Sequence, residues 1–593
     1  MSVQSNYPNL RPSLLLDFAN TRQLDSRVTF TRSTPACHYD GKTTAMAEQN
    51  LTLQSQSIGN SPWSVEGVTF TTSSTAPDGT STATAFTEQT NSGTHRTYQS
   101  QSYVSGSVYT ISFYAKYVSR QYLQLNASGI KSGCRVIFDI QNGTVTDAST
   151  ATTTSITSVG NSWYRCTATI TNDTGLNTYS APVGGNSSST GNGESYTGSG
   201  NLAFYLWGFQ TEQRASATAY TVTTTQPITN YIPVLLSAGG NQARFDCNPT
   251  TGESLGLLIE EQRTNLLTYS AQFDNAVWDK INVSVTANMI VAPDGTLSGD
   301  QITTLSTANY IREVGISTSS SPTLSVYAKA GTEIWLLIDC WSSTGAQAWF
   351  NLSTGTLGTT AGGVASSSIT SVGNGWYRCS VTRTTSGSIN TDIRIVQANG
   401  STASTTGSYF YLWGAQLENG AFATSYIATT SASATRTADV AQMTGTNFSS
   451  WFNNAQGTFV AIVGAGNVSA SARVLKVSDT DSNRLIDFYL ISTPSQEIYS
   501  YQNGITSANF SAGTISTSKY LTAVSYATGN ISALVNGGSV TTSTSAVVSS
   551  VANSTFAIGY NPISGANQIS RPIAKIAYYP IQVTSANLQA LTS

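Results

Sequence analysis

The stretch "SITSVGNSWYRCTATI" at 155 to 170 returns as "SITSVGNGWYRCSVTR" at 368 to 383. A long internal repeat constrains a chain more than its composition does, because both copies must fold in the same way. Further matches follow in order: "APDGT" at 76 and 292, "ISFYAK" at 111 with "LSVYAK" at 324, "FDIQNGTV" at 138 with "FNLSTGTL" at 350, and "FYLWGFQTE" at 204 with "FYLWGAQLE" at 410. One fold is therefore expected twice, as module one over residues 48–228 and module two over 263–436.

Period-two alternation assigns faces to the repeated words. Tyr164, Cys166, Ala168 and Ile170 share one face and Trp163, Arg165, Thr167 and Thr169 the other; Tyr377, Cys379 and Val381 against Trp376 and Arg378 repeat this. The first face reads as core, with Cys166 and Cys379 as small buried apolar groups. The same treatment leaves Tyr114, Lys116, Tyr205 and Trp207 outside in module one, and Tyr327, Lys329, Tyr411 and Trp413 in module two. An outward aromatic beside Arg can stack a sugar ring. It can equally be covered by a neighbouring domain or subunit, and its repetition in both copies favours cover. Ligand specificity belongs where the copies differ, at Tyr122 against Trp335, with Trp341 and Arg312 in module two only.

Composition narrows the function classes. Only 10% of the 593 residues are charged and the net charge is −3, which leaves no basic field for nucleic acid. Ser, Thr, Gly and Asn between short apolar runs suit many strands joined by polar turns. The longest apolar run near the N-terminus is Leu14-Leu15-Leu16, so neither membrane insertion nor a secretion signal is expected. Six cysteines without a CxxC pattern, and two histidines, His38 and His95, give no zinc site and no recognisable catalytic triad. No cofactor is expected. In "SDTDSN", Asp479 and Asp481 could suggest calcium but read as a solvated turn.

The modules resemble the jelly-roll carbohydrate-binding modules of glycosidases and phage virion proteins, in which a Trp-Tyr-Arg strand and an "LWGAQLE" strand recur. That resemblance implies an all-β fold of tandem β-sandwich modules. Residues 437–593, ending "RPIAKIAYYPIQVTSANLQALTS", resemble a concanavalin A-like or laminin G-like lectin domain. "LLLDFANTRQLDSRVTFTRSTPACHYDGKT" resembles the opening of a segment in tailed-phage fibre proteins, and "ARFDCNPTTGESLGLLIEEQRTNLL" its usual continuation. Residues 14–47 and 229–262 are thus expected to form one small split unit after an arm at 1–13, bringing Cys37 and Cys247 into proximity without a disulfide as the leading reading.

These resemblances imply a non-enzymatic virion protein, a tail fibre, tail-tip or capsid fibre, assembled in the host cytoplasm. Its partners would be other virion proteins, copies of itself (a trimer by analogy) and host-surface glycans. A purely structural connector is the second expectation. Adjacent Glu260 and Glu261 cannot act as paired glycosidase carboxyls, because neighbours on a strand point to opposite faces. They read as a joint, with Arg263 pairing one of them at the surface. Candidate sugar-contacting residues are Tyr122, Trp163, Arg165, Trp207, Arg312, Trp335, Trp341, Trp376, Arg378 and Trp413.

Overall fold

In the computed structural model, which describes residues 11–593 apart from 174–182, 343, 468–470, 480–483, 492–494, 503–504 and 545–553, the alternating runs become strands of antiparallel sandwiches. Residues 1–10 of the expected arm, and Asp481, lie outside the described residues.

Module one stacks two six-stranded sheets. The WYRC sheet runs Thr153–Gly160, Trp163–Thr171, Val108–Tyr117, Leu202–Glu212, Ala83–Glu88, Val68–Ser74. The opposite sheet runs Thr144–Ser149, Arg135–Asp139, Tyr122–Asn126, Val183–Asn186, Arg96–Tyr98, Ser64–Glu66. Module two repeats the order: Val364–Gly373, Trp376–Arg383, Pro322–Ala330, Tyr409–Asn419, Leu297–Thr304 and Val283–Val291, then Thr356–Gly362, Ala346–Asn351, Trp335–Trp341, Gly387–Val396, Tyr310–Arg312 and Asp279–Ile281. Inward residues meet as alternation requires, with Phe113, Cys166 and Leu206 against Leu123 and Phe138 in one core, and Val326, Cys379 and Leu412 against Leu336 and Phe350 in the other. Burial pushes both thiols well above their ordinary range.

The two halves of the expected split unit do meet, Arg32 bonding the Gly239 and Gln242 carbonyls and the Tyr39 amide Asp246, but their strands join the third sandwich rather than a unit of their own. Leu14–Leu16 and Ser254–Ile259 both pair with Arg571–Tyr579, and Arg244–Cys247 extends that sheet beyond Ser254–Ile259. Gln456–Val463, Tyr520–Ala527, Asn530–Val535 and Thr541–Ser543 complete it. Thr29–Thr31 pairs with Val440–Thr444 at the edge of the second, seven-stranded sheet. Leu14, Leu16, Phe18, Phe30, Leu257 and Ile259 join Phe459, Phe488, Phe556 and Tyr578 in one core. So few apolar side chains cannot close a core alone, whereas unpaired strand edges offer both hydrogen bonds and an apolar face. A short helix, Ser585–Ala590, capped by Thr584, packs Leu588 on the outer side of the first sheet.

Residues Met46–Ile232 with Met289–Val291 form one compact unit and the remainder a second. The ribbon of Ala36–Asn50 and Ile228–Ala238 carries the chain between them. Among the described residues no helix is long and apolar enough to cross a membrane, all six cysteines are free, and no three metal-ligating side chains gather.

Candidate functional site

The outer faces of the two WYRC sheets are covered, each by its own module's C-terminal tail. In module one Trp163 and Trp207 lie buried with Tyr114 and Tyr220, and Arg165 Nη2 bonds Ser112 Oγ at 3.0 Å and the Thr218 carbonyl. In module two Trp376 and Trp413 are buried; Trp413 meets Tyr426 at 4.7 Å, and Arg378 bonds Ser325 Oγ at 3.0 Å and the Thr424 carbonyl at 2.6 Å. Gly208 and Gly414, at φ +62° and +61°, make the bulge after each Trp, and a Cβ there would crowd Tyr114 or Tyr327 within 3.1 Å. Ser55 to Tyr220 at 2.5 Å and Ser270 to Tyr426 at 2.7 Å close the clamps identically. Trp163, Arg165, Trp207, Trp376, Arg378 and Trp413 therefore hold the modules together and offer no ring face to a ligand. Covered aromatics are what the repetition favoured; beside the module's own tail, the 75–83 turn accepts from Trp163 and Trp207 in module one, and Pro233 packs against Gly373, the partner of Trp376, in module two.

The acid pair divides. Glu260 is buried, forms an ion pair with Arg436 at 2.9 Å, and accepts from Arg244 at 2.6 Å and from the Ser425 amide and hydroxyl at 2.8 and 2.6 Å. Asp439, also buried, accepts from the Glu260 amide at 2.8 Å, Arg32 at 3.0 Å and Arg244. Burial alone would raise the Glu260 carboxyl, but Arg436 and Arg244 overcome it and hold the group far below the usual carboxylate range. Glu261 instead accepts from Arg263 Nε at 3.0 Å, and that guanidinium lies over Phe422. The expected pairing of Arg263 with one of the two acids is met by Glu261, though the Arg263 side chain is buried rather than at the surface, while Glu260 belongs to a buried network joining residues near 32, 244, 425 and 436–439.

The opposite sheets are where the modules part. In module one, Ser195–Thr197 pairs with Ser92–Thr94 and brings its preceding loop over the outer face. Gln124 Nε2 donates to Asn192 and Glu194, both at 2.9 Å; Arg96 reaches Glu194 at 3.4 Å, and the Gly191 amide bonds Asp147 at 3.0 Å. Tyr122 is left at the rim, in a polar cleft of about 320 Å³ shared with Arg120, Gln121, Asn186 and Asn201. Arg120 is fixed there by Glu88 and by the Tyr196 ring 4.1 Å away.

Among its described residues module two has no such hairpin. Its 397–403 loop folds back only over one end, where Ser401 accepts from Trp349 Nε1 at 2.6 Å and Trp335 packs with Leu337, Trp349 and Val396. The other end is a polar and aromatic patch. Cross-strand pairing sets Trp341 opposite Asn390 and Asp339 opposite Asp392. Arg394 bonds Asp392 at 2.7 Å and stands 3.9 Å from Asp339; Arg312 stands 3.4 Å from Asp279 and 3.7 Å from Asp392. Both guanidiniums lie over Tyr310, at 4.7 and 5.2 Å. Gln347 donates to Asp339 at 2.8 Å. The structure thus unites Trp341 and Arg312, sets Trp335 apart at the covered end, and leaves Tyr122 in the other module. Tyr310, Asp339, Asp392 and Arg394 escaped the sequence reading. Alternation along "INTDIRIV" puts Asp392 and Arg394 on one face, but only strand pairing shows that Asp339 and Trp341 share it.

Fold and patch together define a modular all-β protein of three sandwiches, with a polar-aromatic sheet face of module two over which, among the described residues, no hairpin folds. No protein-family model and no curated protein matches the sequence. Among solved structures it is similar to the CBM40 module of Ruminococcus gnavus IT-sialidase bound to α2,3-sialyllactose, at 15% identity and TM-score 0.22, over 24% of this chain and 84% of that one. The CBM22 tandem of Paenibacillus barcinonensis Xyn10C matches at 12% identity and TM-score 0.18, over 63% and 97%. A tail fibre protein from an E. coli phage matches at 11% and 0.17, over 54% and 41%. At such values the likeness is one of sandwich segments only, and the site stands on its own geometry.

Proposed function

We propose that this chain is a non-enzymatic surface protein that attaches to glycans through the uncovered face of module two, in the setting of a tailed-phage fibre or capsid-fibre component. The observation that carries the glycan reading is the patch itself: Trp341 and Tyr310 beside planar guanidinium, carboxylate and amide groups, the combination that suits a sugar's apolar face and its hydroxyls. The virion setting is supported by the N-terminal "LLLDFANTR" resemblance and by the all-β modular build. Weak single sites would gain strength from copy number on a particle.

Glycan-array binding of the full chain tests this, with Trp341→Ala as control. Retained array binding in Trp341→Ala would remove module two from the role. The second reading, a connector between virion proteins, rests on the modular all-β build alone. It predicts no array signal together with docking of the full chain onto particles that lack it.

A further inference from the structure

Resting on the glycan reading of module two, the geometry points to neutral polyhydroxyl sugars, and not acidic ones, as what its uncovered face accepts. Four buried polar atoms in this patch make no hydrogen bond: Oδ1 of Asp339, Oδ1 of Asp392, Nε of Arg394 and Nε1 of Trp341. Two are acceptors and two are donors. A buried polar atom left unmatched costs about 1–3 kcal/mol, so a partner that satisfies several at once is strongly favoured. A carboxylate or sulfate only accepts and an ammonium only donates, whereas a hydroxyl does both.

Charge points the same way. Three carboxylates, Asp279, Asp339 and Asp392, face two guanidiniums, and both guanidiniums are committed to those carboxylates and to the Tyr310 ring. Burial outweighs Gln347 and Arg394 in holding the Asp339 carboxyl above its ordinary value, and the neighbouring Asp392 adds to the rise. Among the described residues of the patch, an incoming anion would meet these three carboxylates and no uncommitted guanidinium. Module one supplies an internal control. No atom of this kind occurs, among its described residues, on the matching strands Tyr122–Asn126, Arg135–Asp139 and Val183–Asn186. There the chain's own Asn192 and Glu194 answer Gln124. The Arg312 and Arg394 side chains, each one-fifth exposed, roof Asp392 in module two. They are long enough to swing aside for a hydroxyl.

The test titrates the full chain with neutral and acidic oligosaccharides, including sialyllactose, at ~0.1 and ~1 M NaCl, following tryptophan fluorescence. Wild type should bind members of the neutral set with less than about twofold change across salt, since no net charge is neutralised. Trp341→Ala and Asp392→Asn should each weaken that binding by about tenfold or more, and Asp339→Asn serves if Asp392→Asn unfolds. Salt-sensitive binding of acidic sugars that needs Trp341 would overturn the selectivity while keeping the glycan reading. Neutral binding untouched by these substitutions would overturn the site. If wild type binds neither class, the glycan reading itself falls.

Discussion

Modules one and two are the same sandwich put to different ends. On the WYRC side they agree nearly atom for atom: Asn50 bonds the Phe209 and Thr221 carbonyls at 3.1 and 2.8 Å, and Asn265 the Ala415 and Ile427 carbonyls at 3.1 and 2.9 Å. On the opposite sheet they diverge, because one copy lays its own hairpin over the face and the other does not. Tyr98 and Arg96 of module one even exchange places in module two, where Arg312 and Tyr310 stand in the corresponding pairs, yet each Arg still lies over its Tyr. What the repeat keeps is the machinery that closes the module; what it varies is the face that a ligand could use.

The largest expected break in that symmetry lies at the lead-in segments. Glu260→Gln should destabilise the unit containing module two by about 3–5 kcal/mol, since it leaves Arg244 and Arg436 buried without a full counter-charge. In the lead-in of module one, by contrast, Glu48 meets Asn230 at 3.3 Å at the surface, and Glu48→Gln should move stability by no more than about 0.5 kcal/mol. Denaturant unfolding of both variants checks this; equal losses would dissolve the contrast.

A second contrast concerns pH. Gln99 bonds both the amide and the carbonyl of Leu53 at 2.8 Å, but its counterpart Glu313, a carboxylate with no donor for the Thr268 carbonyl, accepts from the Thr268 amide at 2.9 Å. Burial pushes Glu313 up to about 7 against that donor. A carboxyl raised on folding adds stability below its unfolded pKa, which is lost as pH rises through the folded value, here from about 4.5 to about 7. Glu313→Gln should therefore stabilise module two by about 2–3 kcal/mol at pH 8 and flatten its stability over that window. A melting temperature that rises from pH 5 to pH 8 in wild type would contradict it. Glu260, held low, acts with the opposite sign, and its contribution is lost only as pH falls below about 4.5.

Smaller and symmetric effects are expected at the clamps. Asn50→Ala and Asn265→Ala should each cost about 1–3 kcal/mol and agree within about 0.5 kcal/mol, measured by local hydrogen exchange. A large difference would mean that the copies are not held in the same way. Smallest of all is Glu261→Gln, which loses a partly exposed pair with Arg263 worth about 0–1 kcal/mol, and it should leave glycan binding unchanged.

Much of this was legible beforehand because alternation is a local property. Phe113, Cys166 and Leu206, and with them the face of Trp163 and Trp207, follow from spacing two residues apart. What covers that face was not legible, because Tyr220 and Tyr426 reach it from beyond a bulge and a turn. The Glu260 site looked like surface for a similar reason. Of its partners, Arg244 lies on the neighbouring hairpin strand but Arg436 and Ser425 come from the far end of module two, so a charged pair in a polar stretch gave no sign of burial.

The repeat, the sandwich class and the inward residues were determined by the sequence alone, since a period of two and a doubled set of words admit few folds. Only the tertiary structure decided that "LLLDF" and "SLGLLIE" complete the C-terminal sandwich, and that Trp341, Arg312, Asp339 and Asp392 form one face. Strand partners are chosen by free edges and shared cores across hundreds of residues, and that choice leaves no mark on the local pattern of either strand.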